Sequence, residues 1–310
     1  MSARLLDGKA IAATIEAEVA QGVRQLQERA GVVPRLSVIL VGDNPASQVY
    51  VRSKARAAGK AGIRSEIIRM PESASTAEVL ARLEALNDDP DVDGILVQLP
   101  LPRGVAEEQI MGRVHSDKDV DALTPASMGR LVLGTQRWAP CTPAGVMEIL
   151  QRSGIPIKGK RVTIVGRSNL VGKPLALLML RAHATLTLCH TRTVDLESET
   201  RRAEILVAAA GRMALIGRRH IAPGATVIDV GINRVSDRGE AERLFAGDPK
   251  RLEEVERKGS TLVGDVHPAE ARECAGALTP VPGGVGPLTV AMLLRNTLEA
   301  ARLRRGAVRR

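Results

Sequence analysis

The sequence predicts an α/β protein of two domains, each built around a parallel sheet. Two separate series of short apolar runs alternate with amphipathic helical patterns, which is how parallel sheets are written in sequence. Between them, around residues 140–143, the pattern breaks. The length of 310 residues accommodates two ordinary cores, and a composition 44% hydrophobic and 25% charged excludes disorder and fibre. No apolar run approaches the roughly 20 residues needed to span a bilayer. Residues 1–12 lack the basic and apolar regions of a signal peptide, so the expected location is the cytoplasm, with no membrane partner.

In the first series, residues 36–41 read as a buried strand, 46–61 as a helix, 63–69 as a strand, 76–86 as a helix and 94–99 as a strand. That is βαβαβ, and strands so nearly all apolar are expected to be covered on both faces. A helix over about 142–152 opens the second series. Residues 161–165 follow as a strand, 174–182 as a helix with Pro174 in its first turn, and 185–189 as the next strand. Residues 205–209 and 226–230 supply two more strands. The charge-rich stretch 233–262 reads as a solvated surface excursion, helical from Lys250. A last helix, 288–302, has no strand after it and is free to pack on either domain.

The formal net charge of +9 attracts polyanions, and Arg302, Arg304, Arg305, Arg309 and Arg310 form a small basic tail. Nucleic acid is the partner this charge suggests. Against it, the arginines are dispersed, and only Tyr50, Trp138 and Phe245 are available to stack on bases, so no nucleic-acid partner is expected. The cysteines, Cys141, Cys189 and Cys274, lie far apart without CxxC spacing. They are expected as free thiols, with no metal site.

The strand 161–165 runs into Gly166-Arg167-Ser168-Asn169-Leu170-Val171-Gly172-Lys173-Pro174, a glycine-bracketed turn that opens a helix. There an α/β sheet presents backbone amides and a helix dipole to a phosphate. The spacing is not GxGxxG, and a tight structural turn would need the same glycines. The next strand ends in Cys189-His190-Thr191-Arg192-Thr193, not in the carboxylate that would accept from a ribose 2′-hydroxyl. Arg167, Thr191 and Arg192 instead offer donors to a 2′-phosphate, which favours NADP over NAD. Ala208-Ala209-Ala210-Gly211 and Asp229-Val230-Gly231-Ile232-Asn233 end strands on small residues, either for packing or for close approach of a cofactor.

In the first half, Tyr50 and Lys54 stand four residues apart on one face of the expected helix, behind the loop Gly42-Asp43-Asn44-Pro45-Ala46-Ser47 at a strand's carboxyl end. A lysine drawn out of water becomes a proton carrier near neutral pH, provided something orients it. Gln98, closing the apolar run 94–99, is placed to do so, or simply to terminate the strand. Asp121, in Lys118-Asp119-Val120-Asp121, is placed to anchor an amine-bearing ring, or to cap a helix.

Together these segments closely resemble the bifunctional methylenetetrahydrofolate dehydrogenase/methenyltetrahydrofolate cyclohydrolase family. The likeness rests on residues 41–47 with Tyr50 and Lys54, on 91–102 (DVDGILVQLPLP), on 118–121, on Pro140-Cys141-Thr142-Pro143, on 166–174, and on Thr279-Pro280-Val281-Pro282-Gly283-Gly284-Val285-Gly286-Pro287. The resemblance implies hydride transfer from 5,10-methylenetetrahydrofolate to NADP, then hydrolysis of the methenyl product to 10-formyltetrahydrofolate. It implies that Lys54 carries the proton, Tyr50 positions the substrate, Gln98 tunes the lysine and Asp121 holds the pterin. Val97, Leu99, Pro282, Gly283 and Gly286 match substrate-bordering positions, and Gly166, Arg167, Ser168, Thr191 and Ile232 match cofactor-contacting ones. It further implies a folate-binding domain of residues 1–140 completed by the C-terminal helix (283–310), a Rossmann-like NADP-binding domain of residues 141–282, and a homodimer. The chain departs from the family pattern at Ala122, where glycine is usual, at Ser127, where asparagine is common, at Thr191 for serine, Met213 for proline and Leu288 for methionine. The excursion 233–262 is longer than the resemblance leads one to expect. A member retaining one activity, a nucleic-acid-binding module and a protein with a vestigial Rossmann domain are the competing readings.

Overall fold

The computed structural model describes residues 2–246 and 248–305. The chain divides into two compact units, one formed by Thr142–Thr289 with the residues up to Ile11, the other by Ala12–Cys141 with the residues from Val290 on.

The lysine-bearing unit, Ala12–Cys141, contains a three-stranded sheet in which Arg35–Val41 lies between Arg64–Met70 and Gly94–Val97, every pair parallel. Chain order therefore reverses at the central strand. Asn44 caps the helix Pro45–Lys60 by accepting from the Ser47 N–H at 3.1 Å, and Pro45 in its first turn gives up an N–H that has no helical partner there. A capping box of Ser75 and Glu78 starts Thr76–Asp88. Arg35–Val41 and Gly94–Val97 are buried on both faces, as expected for strands so apolar. Arg64–Met70 is not: it is the edge strand of the sheet and carries Arg64, Glu66 and Arg69, of which the two arginines are exposed. Past Gly94–Val97 the chain returns alongside it: the Ile95 N–H donates to Lys118 O at 2.7 Å, and a single bridge joins Ile95 to Asp119. That return sets the Lys118–Asp121 segment beside the sheet.

The other unit carries six parallel strands in the spatial order Arg4–Leu5, Ala277–Leu278, Thr226–Asp229, Ile205–Ala208, Arg161–Val165, Thr185–Cys189. This is a doubly wound sheet, with its reversal at Arg161–Val165. Arg4–Leu5 pairs with Ala277–Leu278, so the chain's first strand joins this sheet and not the unit expected for residues 1–140.

Two sequence expectations need revision. The stretch 233–262 is not simply solvated: Asn233–Val235 and Thr261–Val263 form an antiparallel ribbon, with the helices Arg238–Leu244 and Pro249–Lys258 between them. Val235, Ala241, Leu244, Phe245, Val255 and Val263 give it a small core of its own, because the few apolar residues recur at spacings that bring them to one side. Nor is the basic tail free as far as it is described. Arg305 Nε donates to Asp93 Oδ1 at 2.8 Å and its Nη2 to Val33 O at 2.9 Å, while Arg304 bonds Val92 O and Asp93. Asp93 is wholly buried, so these guanidiniums neutralise a charge that would otherwise be costly. Arg309 and Arg310 lie outside the described residues. Among the described residues no helix is long and apolar enough to cross a membrane, and no group of three His, Cys, Asp or Glu side chains is placed to hold a metal ion. Cys141, Cys189 and Cys274 are free thiols.

Candidate active site

Lys54 stands on Pro45–Lys60 and Gln98 just past the end of Gly94–Val97, and the two side chains meet: Lys54 Nζ donates to Gln98 Oε1 at 3.0 Å. Gln98 Nε2 donates to Leu99 O at 2.7 Å, so the amide is pinned at its nitrogen and must turn its oxygen to the lysine. Gln98 thus holds the amine as well as ending the strand. Both are half-buried, whereas Tyr50, one turn earlier on the same helix face, is 45% exposed. Val97 is buried beneath them, and the Leu99–Pro100 peptide beyond is cis.

Asp121 does not cap a helix. Thr124 does, accepting from the Ser127 N–H at 3.1 Å. Asp121 instead lies beside the wholly buried Cys141 thiol, which burial pushes well above the ordinary range; the Asp121 carboxylate pushes it further and Lys54 partly offsets both. Lys54, Asp121 and Cys141 therefore share one electrostatic neighbourhood. The loop bearing Asp121 is held from several sides. Lys118 Nζ donates to Leu86 O, Asn87 O and Asp89 O at 2.8, 2.6 and 2.6 Å, satisfying the last carbonyls of Thr76–Asp88. Burial lowers Lys118 to about 8. The buried Asp119, raised by burial, accepts from Ser127 Oγ at 2.6 Å and the Thr124 N–H at 2.9 Å. Asn296, 2% exposed, donates to Val120 O at 2.8 Å and to Ala139 O at 3.0 Å. Asp119 and Asn296 are absent from the sequence reading; Asp119 is carried by the same motif, but no local signal marks an asparagine within the last helix. Ala122, where the family pattern has glycine, has φ +58°.

In the other unit a cavity of about 320 Å³ opens past the carboxyl ends of Arg161–Val165 and Ile205–Ala208, where strand order reverses. Gly166, Arg167, Ser168 and Thr191, the candidates from the sequence, line it together with His190, Ala210 and Arg212. Arg212 was not singled out from the sequence, although a cation directly after Ala209-Ala210-Gly211 was a signal. Gly166 has φ +125°, and a Cβ there would lie 2.0 Å from Ala209 O; one on Gly172 would lie 2.0 Å from Gly166 O. A side chain at either position would collide with backbone, so only glycine lets the turn close in this shape. Ser168 Oγ accepts from the Val171 N–H at 3.1 Å and so shapes the loop. No carboxylate of the described residues lines the cavity, while two arginines, two threonines and a serine do. That donor set fits a phosphate-bearing ribose. Ile232 does not line this cavity and is 48% exposed. Pro282 and Gly283, between Ala277–Leu278 and the helix Val285–Arg305, and Gly286, in that helix's first turn, lie in this unit too. A separate cavity of about 190 Å³ is lined in part by Pro280, Val281 and Pro282.

A doubly wound dinucleotide-type sheet in one unit and a glutamine-held lysine at the reversal point of a second parallel sheet define a cofactor-dependent enzyme of two α/β units. Residues 6–121 match the tetrahydrofolate dehydrogenase/cyclohydrolase catalytic domain, and residues 140–305 match the NAD(P)-binding domain of the same name. The bifunctional protein FolD of Koribacter versatilis is 53% identical over 306 residues, covering 99% of both chains. The crystal structure of the bifunctional enzyme FolD, a methylenetetrahydrofolate dehydrogenase/cyclohydrolase from Campylobacter jejuni, superposes with a TM-score of 0.87 at 42% identity, covering 98% of this chain and 100% of that one. The Trypanosoma brucei N5,N10-methylenetetrahydrofolate dehydrogenase-cyclohydrolase, solved with NADP cofactor and inhibitor, superposes with a TM-score of 0.88 at 36% identity, with complete coverage of both chains. The chain belongs to the tetrahydrofolate dehydrogenase/cyclohydrolase family.

Proposed function

We propose that the protein oxidises 5,10-methylenetetrahydrofolate to 5,10-methenyltetrahydrofolate with NADP and hydrolyses the product to 10-formyltetrahydrofolate, with Lys54 as the proton carrier of the hydrolytic step. The observation that carries this reading is the Lys54–Gln98 hydrogen bond of 3.0 Å within a family defined by both activities.

NADP, when bound, supplies the hydride acceptor, and Gly166, Arg167, Ser168, Thr191 and Arg212 would hold it, with Ile232 as a further contact. For the oxidation the chain's residues need mainly to orient the folate, since the nitrogens flanking the one-carbon unit stabilise the developing cation without a general acid. Tyr50 offers its exposed ring to the flat pterin, and Asp121 accepts from its amino group. Val97, Leu99, Pro282, Gly283 and Gly286 border the substrate. In the hydrolysis water adds to the methenyl carbon and a carbon–nitrogen bond breaks. Lys54 takes a proton from the water and returns it to the departing nitrogen, the second proton leaving to solvent as the formyl carbonyl forms, while Gln98 keeps its amine in place. We infer that the enzyme works in the cytoplasm as a homodimer, supplying one-carbon units for purine synthesis.

Two assays test the reading. NADPH formation with methylenetetrahydrofolate, run beside NAD, is expected to favour NADP. Methenyltetrahydrofolate without cofactor is expected to decay faster than background, and decay at the background rate would remove the hydrolytic half.

A further inference from the structure

The reading of the 320 Å³ cavity as the NADP site leaves one buried carboxylate without a part. Asp265 is completely buried, two residues past the strand Thr261–Val263 that closes the excursion. Its Oδ2 accepts from the Ala210 N–H at 2.6 Å and the Gly211 N–H at 2.7 Å, and its Oδ1 accepts from Asn233 Nδ2 at 3.0 Å. Ala210 lines the cavity and Gly211 leads to Arg212, which lines it too. Asn233 adjoins Ile232. One carboxylate therefore ties together the two strand-end segments, 208–212 and 229–233, that carry cofactor positions.

The carboxylate is itself held from behind. Asp229 Oδ1 accepts from the Gly231 N–H and the Asp265 N–H, both at 2.9 Å, and its Oδ2 accepts from the Val266 N–H at 3.0 Å. The ribbon adds a third constraint, because Asn233 pairs with Val263 in its register. Two short hydrogen bonds to one buried carboxyl oxygen fix the Ala210–Gly211 backbone more firmly than a loop fixes itself, and the third ties in the Asn233 side chain. The excursion thus has a use: its two strands deliver Asn233 and Asp265 to the same point.

We propose that Asp265 is a positioning residue for the dinucleotide, bracing the segments 208–212 and 229–233 through the amides of Ala210 and Gly211 and the side chain of Asn233. The inference rests on the assignment of the neighbouring cavity to NADP, and the test separates the two. NADP is titrated onto wild type, Asp265→Asn and Asn233→Ala, with the shift in melting temperature on NADP addition measured alongside. Cyclohydrolase activity without cofactor serves as the reading of the other unit. Asp265→Asn keeps the size of the side chain but loses acceptor capacity, so its Kd for NADP is expected to rise about tenfold or more. In the dehydrogenase assay KM for NADP is expected to rise by more than kcat falls, with cyclohydrolase activity kept within about twofold of wild type. Asn233→Ala removes one of the three donors and is expected to raise Kd about threefold. A Kd within about twofold of wild type in Asp265→Asn would overturn the proposal. Should that variant not fold, an unchanged Kd in Asn233→Ala would overturn it instead. Wild-type protein that fails to bind NADP would sink the cavity's assignment, and the brace with it.

Discussion

Beyond the reversal point of its sheet, each unit places its chemistry, but out of different material. Past Arg161–Val165 the site is largely backbone: glycines whose missing side chains let the turn close against Ala209 O and Gly166 O, which stand where a Cβ would go. Past Arg35–Val41 and Gly94–Val97 it is largely side chain: an amine, an amide that holds it and a carboxylate. A site made of backbone fails when atoms are added, and one made of side chains fails when they are removed. Substitutions of opposite kinds should therefore separate the two activities.

Lys54→Met should have the largest effect. Loss of the proton carrier is expected to slow decay of methenyltetrahydrofolate about 10²- to 10⁴-fold while measurable NADPH formation survives. Equal loss of both activities in folded protein would break the contrast. Gly166→Ala is the converse. Its Cβ would meet Ala209 O at 2.0 Å on a backbone at φ +125°, so NADP affinity should fall at least about tenfold while hydrolysis without cofactor continues. Normal NADP binding in that variant would dissolve the distinction from the other side.

The buried braces sharpen the comparison at smaller cost. Lys118 gives its ammonium to three carbonyls in one unit, while Asp229 takes three backbone N–H groups in the other. Lys118→Met should leave those carbonyls unsatisfied and cost roughly 2 kcal/mol in urea unfolding, with the cyclohydrolase falling before NADP binding does. Burial pushes the Asp229 carboxyl up from 3.8 to about 7 against the N–H groups that lower it. The folded chain keeps a proton there that the unfolded chain has released, so the stability this group lends is full below about 3.8 and is lost as pH rises through about 7. Asp229→Asn should flatten that part of the stability–pH curve, and unfolding midpoints from pH 4 to 8 that keep the wild-type slope would count against it. The smallest effect belongs to Ala122→Gly. Relief of φ +58°, partly offset by the freer unfolded chain, should stabilise by a few tenths of a kcal/mol to about 1, seen as a small rise in Tm.

Much of both sheets was legible because buried parallel strands are nearly continuous apolar runs, as Arg161–Val165 is; the edge strand Thr185–Cys189 is more exposed and alternates threonine with leucine, and both stand at the residues the pattern predicts. The helix Gly8–Ala30 is not among the sequence expectations, although Ala12, Ile15, Val19, Val23 and Leu26 are buried at helical spacing; its many alanines blur the contrast between faces. The pairing of Arg4–Leu5 with Ala277–Leu278 had no signal, since two residues carry no period. Of the candidate site, residues with distinctive chemistry on a shared helix face or turn stood out in the sequence: Tyr50, Lys54, Gly166, Arg167. Gln98 and Asp121 left two readings each, because an amide or a carboxylate at a strand end does local and catalytic work with the same atoms. Asp265 and Asn296 act through backbone far away in sequence, and that kind of contact leaves no pattern.

The clamp of Arg304 and Arg305 on Asp93 spans more than two hundred residues of chain. A ribosome releases those residues in order, so the unit that holds Lys54 cannot be sealed until the segment beyond residue 300 has emerged, well after the doubly wound sheet has all its later strands. Until then Asp93 lacks both guanidiniums that clamp it, with Lys118 as a more distant counter-charge, so the closing of this unit waits on the end of the chain.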